Sequence, residues 1–149
     1  MNPLIVEAAL QQARRAYRAD EVPVGAVVFD SRTGAIVARA SNRVEAAQNP
    51  TAHAEMRAIQ KACQKLRTKF LTGYSLFVTL EPCAMCAGAI AWARLDALHY
   101  GAFDPKTGAV RQGAKVFSRR QTHHKPRVRG GIAAAECGGL MTSFFKDKR

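Results

Sequence analysis

No apolar run in the sequence approaches the roughly 20 residues that a membrane-spanning helix requires. A bilayer-spanning helix is therefore excluded, and a soluble protein with no membrane partner is expected. The N-terminal stretch Met1-Asn-Pro-Leu-Ile-Val-Glu7 has no basic region followed by an apolar block. No secretion signal is expected, and the cytoplasm is the expected compartment. Cysteine is scarce. Cys63, Cys83, Cys86 and Cys137 are too few and too scattered for the disulfide framework of a small secreted protein. The sequence also lacks internal repeats and any low-complexity linker.

Acidic residues are few, 11 against 23 basic ones, for a net charge of +12. The imbalance is concentrated. Residues 111–149 carry ten Lys or Arg against only Glu136 and Asp147, a net of +8 in that quarter. Such a field attracts polyanions, of which nucleic acid is the usual one, although a well-solvated basic surface accounts for charge alone equally well.

What is present is enough apolar material for one core. Apolar residues make up 48% of 149, which suits a single domain spanning residues 1–149 and rules out a disordered chain. Asn2-Pro3 reads as a helix cap and first turn. Leu4, Ile5, Ala8, Ala9, Ala13, Ala16 and Tyr17 follow at helical spacing, to a stop near Asp20. Residues 23–29 and 35–40 read as two strands of a hairpin joined by Asp30-Ser-Arg-Thr-Gly34. Residues 41–50 read as irregular. A second helix is expected from about Thr51 to Leu66, with Ala52, Met56, Ile59 and Cys63 as its buried stripe. A third strand over 74–80, a third helix from Pro82 to about Arg94 and a fourth strand over 97–101 follow. Residues 104–126 give no clear signal. A basic C-terminal helix is expected over 132–148, with Ile132, Cys137, Leu140, Met141, Phe144 and Phe145 as apolar positions. This order predicts an α/β, three-layer α-β-α sandwich.

Two short motifs carry the chemistry. Glu81-Pro-Cys-Ala-Met-Cys86 places two thiols at i and i+3 in the first turn of a helix, on one face. A helix N-terminus favours thiolates. Thr51-Ala-His-Ala-Glu55 lies at the mouth of another helix, at the sheet edge where open α/β folds gather their sites. His53, Cys83 and Cys86 together make three protein ligands. Zinc held by three ligands keeps a position for water and lowers its pKa to about 7. Glu55 is placed to move that water's proton. His53 and Glu55 stand about 200° apart around an ideal helix, so both can serve one pocket only if it lies over the helix end.

Competing readings exist for each half. A lone Cys-x-x-Cys at a helix start is also the pattern of a redox dithiol. A structural zinc would need a fourth protein ligand, for which Cys63, Cys137, His99, His123 and His124 are candidates. Cys63 and Cys137 fit apolar helix stripes and read better as core. A redox pair requires no upstream His-x-Glu, so the joined pattern favours catalytic zinc.

The joined pattern H-x-E then P-C-x-x-C resembles the signature of zinc-dependent nucleoside and nucleobase deaminases. The likeness extends to residues 21–27, Asn42-Arg43, 50–55, 78–89, Tyr100-Gly-Ala102, Asp104, Lys106-Thr-Gly-Ala109 and Phe144-Phe145. Over these segments the chain resembles the bacterial tRNA-specific adenosine deaminases, across most of residues 4–149 and most densely over 21–109. The resemblance implies a mixed five-stranded sheet of the cytidine deaminase type, one Zn2+ per chain and a homodimer. It also implies hydrolysis of the wobble adenosine to inosine in the anticodon stem-loop of a tRNA. By the same resemblance, Glu55 shuttles the proton, Asn42 hydrogen-bonds the base and Val24 packs against it. Backbone N–H groups near Cys83 and Ala84 help hold developing charge. Asp104, Lys106 and Phe145 fall on the substrate side. Phe103, Pro105, residues 110–118 and His123-His124 depart from the commoner bacterial pattern, all in the substrate-facing half. Two other functions stay open on the sequence: deamination of a free guanine- or cytosine-type base or nucleoside, and a zinc-stabilised RNA-binding module without catalysis.

Overall fold

A computed structural model describes residues 1–148. Its first helix, α1 (Pro3–Arg18), starts where the proline requires. The Asn2 side chain accepts a hydrogen bond from the Leu4 N–H at 2.9 Å, a cap of the kind that stabilises a helix by about 1 kcal/mol. The buried face is Ile5, Ala8, Ala9, Leu10, Ala13 and Ala16. Leu4, expected on that face, is 74% exposed, and Leu10 takes its place in the core.

Strands β1 (Gly25–Asp30) and β2 (Ile36–Ser41) form the expected antiparallel hairpin. At its turn the Asp30 carboxylate accepts from the N–H groups of Arg32 and Thr33 at 2.8 and 2.9 Å. The stretch read as irregular contains a four-residue helix, α2 (Val44–Ala47). Helix α3 (Ala54–Leu66), strand β3 (Tyr74–Leu80), helix α4 (Ala84–Trp92) and strand β4 (Ala97–Ala102) follow. Residues 104–126 hold one 3-10 turn at Val116–Ser118. A fifth strand, β5 (Arg127–Arg129), pairs parallel to β4. Apolar alternation along the sequence predicts only four strands, because Arg-Val-Arg has no alternation beyond one residue. Helix α5 (Ala134–Asp147) ends the described chain.

The sheet order is β2-β1-β3-β4-β5, with β1 antiparallel to both neighbours and β3, β4 and β5 parallel. Side chains alternate across it. Val27, Phe29 and Phe77 face α1, while Ala26, Val28, Leu76, Val78 and Leu98 pack with Ala58 and Ala62 of α3 and Ile90 of α4. Helices α1 and α5 cover one face and α3 and α4 the other, which makes the three-layer sandwich. Gly25 permits the closest approach. A Cβ there would lie 2.0 Å from the Ala9 carbonyl oxygen, so any other residue would push α1 off the sheet.

Helix α3 is also fastened to the edge strand. Arg57, Lys61 and Lys65, one turn apart, donate to the carbonyls of Ser41, Arg39 and Val37. The cations cover carbonyls that an unpaired strand edge would otherwise offer to another chain. No helix among the described residues is long and apolar enough to cross a membrane.

Candidate active site

The strand directions decide where the site forms. Because β1 runs antiparallel to β3, the start of β1 and the end of β2 lie beside the C-terminal ends of β3 and β4. Gly25 N–H donates to Thr79 Oγ1 at 3.1 Å, and Asn42 N–H donates to the Val24 carbonyl at 3.1 Å. Four chain segments distant in sequence therefore meet at one sheet edge. They are the approach to β1, the exit of β2, the mouth of α3 and the β3–α4 junction.

His53 is the last residue before α3, with φ −70° and ψ 153°, extended rather than helical. Glu55 sits in the first turn and is buried. The angular conflict between these two residues disappears, since His53 is outside the helix and both face the space over its end. Cys83 stands likewise at the cap of α4, with extended backbone, and Cys86 lies in the first turn and is fully buried. His53 Nδ1 is 3.7 Å from Cys83 Sγ and 3.5 Å from Cys86 Sγ. The three donor atoms all lie within 4.8 Å of one another, the one such cluster among the described residues. Two sulfurs and one imidazole nitrogen converging at that spacing fit a zinc ion, and among the described residues no fourth protein ligand joins them. The other cysteines take no part. Cys137 is buried in the core against Leu10 and Ala102, and Cys63 is partly buried against the other core.

The electrostatics of the donors suit a metal. A hydrogen bond from Cys86, with help from His53, brings the Cys83 thiol down to about 4, so it is a thiolate at neutral pH. That same bond and burial push Cys86 up, so without metal the two sulfurs share one proton. A bond to the Cys83 sulfur raises His53. A divalent cation replaces these protons, and binding releases them. Burial brings Glu55 up to about 7, opposed by its backbone N–H and aided by the Cys83 charge. A carboxyl group poised near 7 can both take and give a proton.

In front of these residues lies a cleft of about 1030 Å³. Val24, Asn42, Asp104, Lys106 and Phe145 all line it beside His53, Glu55 and Cys83. These five residues thus share one cleft with His53, Glu55 and Cys83, with Cys86 buried beside them, while Cys63, His99, His123, His124 and Cys137 do not line it. Asn42 is 7% exposed; its Nδ2 donates to the Val22 carbonyl at 3.2 Å, and its buried Oδ1 has no partner. Asp104 is differently employed than expected of a substrate contact. Its carboxylate accepts from Lys106 N–H, Thr107 N–H and the Thr107 hydroxyl, which shapes its own loop. Of the two phenylalanines, Phe144 is core and Phe145 is 46% exposed at the cleft.

Two buried carboxylates were missed by sequence reasoning. Glu21 accepts from the N–H groups of Glu45 and Ala46 at 2.9 and 2.7 Å, which anchors α2 beside Asn42. Glu81 accepts from Asp104, Val110, Arg111 and Gln112. Burial alone would raise Glu81, but these donors outweigh it and hold the group below the usual carboxylate range. Their partners lie 23–31 residues away, so no local pattern marks them.

Comparison with known proteins matches this geometry. Residues 3–102 match the cytidine and deoxycytidylate deaminase zinc-binding region. The chain is 48% identical over 145 residues to the tRNA-specific adenosine deaminase of Agrobacterium fabrum, covering 97% of this chain and 93% of that one. A solved tRNA:A34 deaminase, described as performing A-to-I editing at the wobble position of transfer RNA, superposes with a TM-score of 0.90 at 45% identity. That match covers 93% of this chain and 99% of the other. The guanine deaminase of Bacillus subtilis is similar over less, with a TM-score of 0.64 and 41% identity across 69% of this chain and 66% of its own. The chain belongs to the tRNA-specific adenosine deaminases, within the cytidine and deoxycytidylate deaminase family of zinc enzymes.

Proposed function

We propose that this protein is a single-domain hydrolase that converts the wobble adenosine of a tRNA anticodon loop to inosine. The observation that carries the reading is the convergence of His53, Cys83 and Cys86 beside Glu55, at a cleft that Asn42 and Val24 also line. Near-full-length likeness to tRNA-specific adenosine deaminases supports the choice of substrate. So does the +8 charge of residues 111–149, since an anticodon loop offers splayed bases together with phosphates.

His53, Cys83 and Cys86 would hold the zinc ion, which would supply Lewis-acid activation of water when bound. Glu55 takes a proton from the attacking water and delivers it to ring nitrogen N1, then passes the proton of the added hydroxyl to the amino nitrogen, which leaves as ammonia as the C6 carbonyl forms. Adenosine plus water thus gives inosine plus ammonia. Burial prepares Glu55 for both transfers, because its carboxyl titrates near neutrality, at about 7. Asn42 Oδ1, already desolvated and unpaired, accepts a hydrogen bond from the substrate nucleoside. Val24 gives the base an apolar wall. Lys106 and Phe145 meet the flanking loop, the first by charge and the second by stacking.

The protein acts in the cytoplasm as a homodimer. Helix α4 is apolar all round, and Trp92 at its end is 71% exposed, resting on His123 with ring centroids 4.6 Å apart. A second copy over this patch would cover it.

A free base or nucleoside is the competing substrate. Zinc-loaded protein is offered an anticodon stem-loop and, separately, adenosine, guanine and cytidine, with products separated by chromatography. Inosine in the stem-loop with no turnover of the free compounds is the expected result. Turnover of a free compound with an intact stem-loop would refute the tRNA reading.

A further inference from the structure

We propose that Glu81 is a positioning residue for the RNA: its carboxylate holds residues 104–112 as one fixed wall of the cleft, and so sets where Lys106 and Thr107 meet the substrate. The proposal rests on the reading above that an RNA adenosine is deaminated. Glu81 is 2% exposed and lies between the end of β3 and the zinc ligand Cys83. Its Oε1 accepts from Asp104 N–H at 3.1 Å and from Gln112 Nε2 at 2.8 Å. Its Oε2 accepts from the N–H groups of Val110, Arg111 and Gln112 at 3.1, 2.9 and 3.3 Å. One carboxylate therefore gathers both ends of a nine-residue segment. Successive backbone N–H groups turned inward form a concave anion nest, and here a side chain fills it.

The fit is close. A Cβ on Gly108 would lie 2.6 Å from Glu81 Cδ and 2.7 Å from its Oε1, so the segment wraps directly onto the carboxylate. Asp104, Lys106 and Thr107 of this segment line the same cleft as Asn42 and Glu55. The segment keeps other anchors, among them Ala109 N–H to the Pro82 carbonyl at 2.9 Å and Val116 N–H to the Ala109 carbonyl at 2.9 Å. Glu81 itself is tied to β4 through its own N–H to the Ala102 carbonyl at 2.8 Å. The wall is thus fixed to β4 and to the end of β3, after which Cys83 and Cys86 follow.

Glu81→Gln keeps the size and removes the fit. Whichever oxygen becomes the amide nitrogen, at least two donors of the segment then face a donor. In zinc-loaded Glu81→Gln, the amides of Val110, Arg111 and Gln112 should exchange at least about tenfold faster than in the wild type, with zinc content and exchange of β3 and α4 unchanged. In single-turnover deamination of an anticodon stem-loop, the half-saturating RNA concentration should rise about tenfold while the saturated rate stays within about threefold. Faster exchange with an unchanged half-saturating concentration would make Glu81 a structural residue only and overturn the proposal. A collapsed saturated rate at unchanged half-saturation would overturn it too, placing the effect on the chemical step. If the wild type makes no inosine, the substrate reading fails, and the exchange data still decide whether Glu81 holds the segment. Should Glu81→Gln not fold, Gln112→Ala removes one donor and leaves the carboxylate. A rise of about two- to threefold in the half-saturating concentration supports the proposal, and no change contradicts it.

Discussion

His53 Nδ1 lies 3.5 Å from Cys86 Sγ although 33 residues separate them, one at the mouth of α3 and the other in the first turn of α4. The two helix mouths face each other because α3 and α4 pack on the same face of the sheet. Replacing any one donor leaves two, which is too few for tight zinc binding. His53→Ala, Cys83→Ala and Cys86→Ala should each purify with less than about a tenth of the wild-type zinc, as read by elemental analysis.

Removing the metal should expose the low pKa of Cys83. The Cys86 hydrogen bond and His53 hold this thiol at about 4, so its reactive thiolate form persists from neutral pH down to about 4 and is lost below it. An ordinary thiol is under about 1% thiolate at pH 6. Metal-stripped protein should therefore be alkylated rapidly at Cys83 at pH 6, with Cys86 spared by its raised pKa and burial. Zinc should protect both. Peptide mass mapping reads the pattern, and equal labelling of all four cysteines would contradict it.

Glu55 is buried at the cleft floor but is not among the clustered metal donors. Glu55→Ala should keep its zinc while losing at least about 1000-fold in single-turnover rate, the scale of a proton shuttle and more. Retained RNA processing by this variant would instead favour a zinc-stabilised binding module.

Asn42 carries a cost in the free protein, a buried Oδ1 without a partner. An unsatisfied buried acceptor costs about 1–3 kcal/mol. Asn42→Leu should accordingly melt no lower than the wild type by more than about 2 °C, while deamination falls at least about tenfold. A large loss of stability with normal turnover would mean that Asn42 serves the loop and not the substrate.

The exposed indole of Trp92 gives the quaternary prediction. Trp92→Glu places a charge on the apolar patch and should shift the sedimenting species from dimer to monomer at micromolar concentration. A dimer that survives this change would place the interface elsewhere.

Local rules made much of this molecule legible. Asn2-Pro3 and the alanine periodicity gave α1, and Asp30 to Gly34 gave the hairpin turn, because caps and turns are decided within a few residues. The zinc donors were legible for a different reason: His and Cys at such spacing have few other uses. What escaped was non-local. Leu4 and Leu10 are equivalent by residue type, and only the packing of α1 on the sheet separates them. Glu21 and Glu81 look like surface acids until the backbone N–H groups they hold come into view. Arg127-Val-Arg129 became a strand because β4 offered a free edge, which its own composition does not announce.

The most direct test of the central claim is mass spectrometry of a tRNA pool after incubation with the zinc-loaded wild type and with Glu55→Ala. The account predicts inosine at the first anticodon position with the wild type alone, in a yield that falls steeply as salt is raised. A pool without inosine at that position, under conditions where the wild type is folded and zinc-loaded, would contradict it.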